Sequence, residues 1–124
     1  MIFSWTNTYS SKPQIYKPRN EVDLKKIIIK KKNFINFGNG RSYGDNCINK
    51  KNIILMKNFN KILFFDKMNG TVDAQSGVFL KDLLDKVMKY DWFFPTSPGT
   101  KYVTLGGLIA NNVHGKSIKK NFFY

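Results

Sequence analysis

A short apolar run, "FINF" at residues 34–37, leads straight into "GNGRSYGDN" at residues 38–46. Gly38, Gly40 and Gly44 fall within that one loop. Glycine enters positive φ without steric cost and lets a second group come close to the backbone. Successive N–H groups turned inward by such a loop form a concavity that binds anions. The spacing is not that of a Walker loop, since no G-x-x-x-x-G-K-[ST] is present. Nor is it the dinucleotide fingerprint. G-x-G-x-x-x-G is one residue too long, and the segment that follows is asparagine-rich and runs into "NIILM" at residues 52–56 rather than opening a helix. The loop alone therefore leaves two readings. It is a tight turn between strands, or a phosphate nest with Ser42 as an added donor and Arg41 as a nearby cation.

A second stretch, "SPGTKYVTLGGLIANNVHG" at residues 97–115, weighs on that choice. Gly99 sits in a proline-led turn, and Thr104 is placed to cap a short helix that begins at Leu105. Gly106 and Gly107 then fall in its first turn, where each costs about 1 kcal/mol against alanine. Two such residues in succession imply that a flat ligand or another backbone lies against that face. Close helix–strand packing accounts for one of them more easily than for both.

The remaining pattern is α+β. "QIY" (residues 14–16) reads as a strand, followed by a helix capped by Asn20, with Glu21 and Asp23 in its first turn and Leu24, Ile27 and Ile28 on one face. Lys30, Lys31 and Lys32 suit the C-terminal end of that helix dipole. "KILFFD" and "TVDAQ" read as a hairpin whose tight turn takes two positive-φ residues, Asn69 and Gly70. Leu80, Leu83, Leu84, Val87 and Met88 mark an amphipathic helix. The aromatics of "KNFNKILFFDK" alternate as strand residues do and are assigned to the core.

The net charge of +13 raises a nucleic-acid reading. Yet the cations are 19 lysines and two arginines, alongside many Asn, Ile, Phe and Tyr, all residues with A/T-rich codons. Arginine, the preferred reader of phosphates and base edges, is scarce. A small basic nucleic-acid module is thus the rival reading, and nucleic-acid binding is not expected. The single cysteine, Cys47, excludes an internal disulfide and a multi-cysteine metal site, so no metal is expected. No run is long enough to cross a membrane as a helix, and the N-terminus lacks an export signal, which together fit a cytoplasmic setting.

"GNGRSYGD" and "PGTKYVTLGGLIANNVHGK" together resemble the FAD-binding (PCMH-type) domain of the vanillyl-alcohol oxidase superfamily, most of all in the decaprenylphosphoryl-β-D-ribose oxidases. The resemblance runs from about Trp5 to the end of the chain. It implies a strand–helix–strand lobe followed by the start of a second α+β lobe. It further implies that residues 1–124 are the N-terminal part of an FAD-binding domain whose remainder, with a substrate domain, lies outside this sequence. The first loop would wrap the FAD pyrophosphate through Asn36, Phe37, Gly38, Asn39, Gly40, Arg41, Ser42, Tyr43, Gly44, Asp45 and Asn46. The second motif would lie along the diphosphate and flavin ring through Gly99, Thr104, Leu105, Gly106, Gly107, Asn111, Asn112, Val113 and His114, with His114 also the catalytic candidate. The implied activity is oxidation of a CH–OH group on a sugar or polyol, free or lipid-linked, and the resemblance admits a reductase partner in an epimerase pair. Covalent members attach flavin through a histidine in the first loop. Arg41 stands at that place here and has no lone pair to donate, so non-covalent FAD is expected.

Overall fold

The computed structural model describes residues 1–117. They fall into two compact units, Met1–Phe59 and a second from Asn60 onward.

The first unit is built on β3 (Gln14–Tyr16), β4 (Phe34–Phe37) and β5 (Asn52–Leu55), a parallel sheet in the order β3-β5-β4. Ile53 lies opposite both Ile15 and Ile35, and it is fully buried together with Ile54. A central parallel strand covered on both faces reads as a continuous apolar run, as "NIIL" does. Helix α1 (Glu21–Lys30) links β3 to β4. The Asn20 side chain accepts from the Asp23 N–H at 2.9 Å, the expected N-cap. Leu24 and Ile27 are half-buried, whereas Ile28 is exposed, so the expected apolar stripe is narrower than its spacing suggests.

An N-terminal hairpin of β1 (Ile2–Phe3) and β2 (Ser10–Ser11) has no counterpart in the sequence expectations. Its turn is closed by a buried serine, Ser4, which exchanges bonds with Tyr9 and accepts from Asn7 in the left-handed region at φ 56°. The asparagines around β5 have structural work. The Asn49 carboxamide oxygen accepts from the Lys51 and Asn52 N–H groups, its nitrogen donates to Asn33, and the Asn52 side chain donates to the Lys32 and Asn33 carbonyls. Cys47 is buried, and burial pushes its thiol pKa up.

The second unit opens with β6 (Ile62–Asp66) and β7 (Thr71–Ala74), antiparallel with a bulge between Ile62 and Phe64. Their turn departs from expectation. Asp66 pairs with Thr71, so four residues close the hairpin, and of Asn69 and Gly70 only Gly70 has positive φ, at 68°. The Asp66 carboxylate is the reason: it accepts from the N–H groups of Met68 and Asn69 and from the Asn69 side chain, a local alternative to a two-residue turn. The Asn69 side chain leads in holding that carboxyl below its usual pKa range. The aromatics also divide. Phe59 is buried, closing the first unit, and Phe65 is half-buried, but Phe64 is 61% exposed.

Helix α2 (Leu80–Val87) buries Leu80, Leu83 and Val87, with Leu84 half-buried. Met88 starts a 3-10 turn, Met88–Tyr90, and is exposed rather than on the buried face. β8 (Thr96–Ser97), α3 (Leu105–Ala110) and β9 (Lys116–Ser117) follow, with β8 and β9 antiparallel.

Trp92 locks the β6–β7 turn: its indole N–H donates to the Lys67 carbonyl at 2.7 Å, and its ring covers Gly70 so closely that a Cβ there would lie 2.6 Å from it. Gly70→Ala should therefore combine a left-handed strain of about 1–2 kcal/mol with overpacking of about 1–3 kcal/mol. Gly44→Ala, at φ +60° with no atom within 4 Å of the new Cβ, should show the strain alone. Urea unfolding of the two variants measures the difference, with Gly70→Ala the less stable.

Candidate functional site

The first glycine loop spans the gap between two neighbouring parallel strands. Asn36 and Phe37 end β4 opposite Ile54 and Leu55, and the Phe37 carbonyl accepts from Met56 just beyond β5. Gly38 and Asn39 are half-buried; Arg41, Tyr43, Asp45 and Asn46 are exposed. Gly40 and Gly44 both adopt positive φ, at 61° and 60°. Among the described residues, the main-chain N–H groups of Gly40, Arg41, Ser42, Tyr43 and Gly44 find no acceptor. The next bond in the chain runs from Ile48 N–H to the Asp45 carbonyl, at 2.7 Å. A run of amides from Gly40 onward that find no acceptor among the described residues, in a loop turned by two left-handed glycines, has the chemistry of an anion nest.

The two glycines differ in what requires them. A Cβ on Gly40 would lie 2.9 Å from the Phe37 ring and 3.2 Å from the Phe3 carbonyl oxygen. That glycine is demanded by internal packing as well as by φ. Gly44 has open space on the corresponding side, room that a ligand can use.

The second motif is organised by main-chain hydrogen bonds. Helix α2 has Phe79 at its N-cap and no side-chain cap. Its Leu80 and Lys81 N–H groups donate instead to the carbonyls of Val103 and Lys101, both at 2.9 Å. In return Leu105 and Gly106, which open α3, donate to the carbonyls of Val78 and Ser76, both at 2.8 Å. Thr104, buried, caps α3 through its hydroxyl, which accepts from the Gly107 N–H at 3.3 Å. Each helix start thus satisfies donors of the other.

This settles what the glycine pair does locally. A Cβ on Gly106 would lie 2.9 Å from the Ser76 Cβ and 3.0 Å from its carbonyl oxygen, so Gly106 exists for close packing. At Gly107 the only such neighbour is the Thr104 hydroxyl, at 3.1 Å. The packing explanation covers one glycine and leaves the other. The asparagines close the helix: Asn112 takes φ 44° and donates to Ile109, while Val113 donates to Leu108, a Schellman ending with asparagine at the left-handed position. The Asn111 side chain donates to the Gly107 carbonyl at 2.8 Å. His114 is exposed, its Nδ1 lying 3.3 Å from the Asn112 carbonyl oxygen. Gly99 is exposed with open space where a Cβ would stand.

Some residues of these loops escape sequence reasoning. Gly115 is required because the backbone at Ser97 and Pro98 passes where its Cβ would be. The Ser97 hydroxyl is buried and, among the described residues, has no partner. Trp5 places its ring under the Arg41 guanidinium, 4.5 Å from carbon to centroid. A glycine beside "H" and a tryptophan near the N-terminus carry no distinguishing periodicity, so only the fold reveals them.

The family model described as an FAD binding domain matches residues 13–122. The chain belongs to this FAD-binding domain family. Its resemblance to the PCMH-type domain is borne out, and with it FAD as the cofactor. Decaprenylphosphoryl-β-D-ribose oxidase of Mycolicibacterium smegmatis is 38% identical over 81 residues, covering 64% of this chain and 18% of that protein. D-lactate dehydrogenase of Anaerostipes hadrus is 43% identical over 63 residues, covering 51% of this chain and 13% of that one. A solved structure of alkyldihydroxyacetonephosphate synthase matches 82% of this chain and 20% of its own, with a TM-score of 0.65 and 22% identity, which shows the shared α+β fold of the FAD-binding domain family. The chain spans a fifth or less of the length of each of these proteins. Among the described residues no helix is long and apolar enough to cross a membrane.

The unequal demands on the glycine pair yield a stability test. Gly106→Ala should destabilise by about 1–3 kcal/mol through overpacking against Ser76. Gly107→Ala should change stability by less than about 1 kcal/mol, because helix propensity offsets the tight Thr104 contact. Urea denaturation followed by far-UV circular dichroism separates the two.

Proposed function

We propose that the intact protein is an FAD-dependent oxidoreductase acting on a CH–OH carbon of a sugar or polyol, free or lipid-linked. Residues 1–124 would form an incomplete portion of its FAD-binding domain, and the protein would work in the cytoplasm. A reductase partner in an epimerase pair is compatible with the ribose oxidase likeness. The observation that carries the proposal is the run of five amides, Gly40 to Gly44, that find no acceptor among the described residues in a chain of this family. FAD, when bound, supplies the hydride-accepting ring.

The chain's own residues bind and orient. The N–H groups of residues 40–44 and the Ser42 hydroxyl would hold the pyrophosphate. Gly44 and Gly99, whose missing side chains leave space, and Gly107, where a Cβ would meet only the Thr104 hydroxyl, would let the cofactor approach the backbone. Thr104, Leu105 and Gly106 would act by fixing the second motif, because their N–H groups or hydroxyl are already engaged internally. Asn111, Asn112 and Val113 would serve in the same way, by closing α3. His114 would face the reacting side, where an exposed imidazole can hold or pass a proton.

Attachment would be non-covalent. Arg41 takes the position from which a histidine would bond the flavin methyl carbon, and a guanidinium has no lone pair for that step. Acid precipitation of the yellow protein checks this. Flavin should remain in the supernatant, and colour persisting in the washed pellet would contradict the assignment. A full open reading frame carrying this chain that purified without flavin and could not be reconstituted with FAD would contradict the function itself.

A further inference from the structure

Trp5 meets the glycine loop at two successive positions, Arg41 and Ser42. Its main-chain N–H donates to the Ser42 carbonyl at 3.3 Å, and its ring lies 4.5 Å from the Arg41 guanidinium carbon. The carbonyl of Phe3, two residues earlier, lies 3.2 Å from where a Cβ of Gly40 would stand. The β1–β2 hairpin is thus laid against Gly40, Arg41 and Ser42 together. Between Phe3 and Trp5, the buried Ser4 ties the turn to Asn7 and Tyr9, so the indole is presented from a closed turn.

The cation it holds is available. Among the described residues, the ion pairs are those of Arg19 with Asp23 and of Lys81 with Asp82 and Asp85, and none involves Arg41. An exposed arginine loses rotamer entropy when it binds an anion. Contact with an indole face attracts the guanidinium electrostatically and leaves its N–H edge able to donate. A stacked arginine has therefore surrendered part of that entropy before the ligand arrives.

We infer that Trp5 is a positioning residue, holding Arg41 beside the amides of the glycine loop so that its guanidinium meets the phosphates of a dinucleotide. The inference rests on the FAD reading and names the residue that prepares the phosphate-binding cation. Arg41 supplies the charge, residues 40–44 supply the N–H groups, and Trp5 touches no ligand. It acts through Arg41 alone.

A double-mutant cycle in the full open reading frame carrying this chain tests it. Apo-protein is prepared as wild type, Trp5→Leu, Arg41→Met and the double variant, and each is titrated with FAD and with riboflavin, which lacks phosphate. Trp5→Leu should weaken FAD about 5-fold and Arg41→Met about 10-fold, as expected for charge-assisted contacts. The double variant should bind no more weakly than Arg41→Met alone, because without the cation the indole has nothing to position. Riboflavin affinity should fall by much less than FAD affinity in every variant, and Trp5→Phe should restore most of the FAD affinity. If Trp5→Leu does not fold, Trp5→Gln takes its place in the cycle. Multiplying losses in the double variant, or an equal loss of riboflavin affinity, would overturn the inference while leaving the FAD reading intact. A wild-type protein that binds neither ligand would overturn both.

Discussion

Leu80 and Lys81 give their N–H groups to Val103 and Lys101, and Leu105 and Gly106 give theirs to Val78 and Ser76. A helix start that leaves its first donors unpaired in a packed interior loses about 1–3 kcal/mol for each. Neither helix can rely on side chains alone: α2 has phenylalanine at its N-cap, and α3 has one threonine. The two starts therefore fix each other, and the close approach is what excludes a side chain at Gly106. A consequence for function follows. The N-terminus of α3 is closed to anions by its own bonds, so whatever the second motif offers a cofactor is shape, at Gly99 and Gly107.

The first loop faces the opposite condition. Parallel neighbouring strands need a connection of about a dozen residues or more, and residues 38–51 span β4 to β5 without a helix to consume their donors. Buried Ile53 and Ile54 hold one end, the Asn49 and Asn52 carboxamides anchor its base, and the N-terminal hairpin supports its middle. Fixed ends, with amides between them that find no acceptor among the described residues, would give a preorganised anion site at little ordering cost. In this account, charge recognition belongs to the first loop and close surface fit to the second.

Much of this was legible in residues with one strong local reason. Asn20 and Thr104 cap the helices expected of them, and "FINF" and "NIIL" form strands that flank the loop. Composition misleads for the asparagines. Their number is what A/T-rich codon usage would give, but Asn33, Asn49, Asn52 and Asn112 each hold a specific turn or loop that only the fold discloses. The β6–β7 turn departs from its Asn-Gly pattern because Asp66 captures two backbone donors and makes the turn a longer one. Trp5 and Gly115 act through contacts distant in sequence, and no periodicity encodes such contacts.

The central claim is that the amides of residues 40–44 are the donors for the FAD phosphates. Hydrogen exchange of those amides, with and without saturating FAD, in the full open reading frame carrying this chain, tests it most directly. Gly40, Arg41, Ser42, Tyr43 and Gly44 should exchange fast without ligand and slow on FAD addition. Leu105 and Gly106, already bonded to Val78 and Ser76, should be protected in both conditions. Loop amides that exchange equally fast with FAD bound would contradict it.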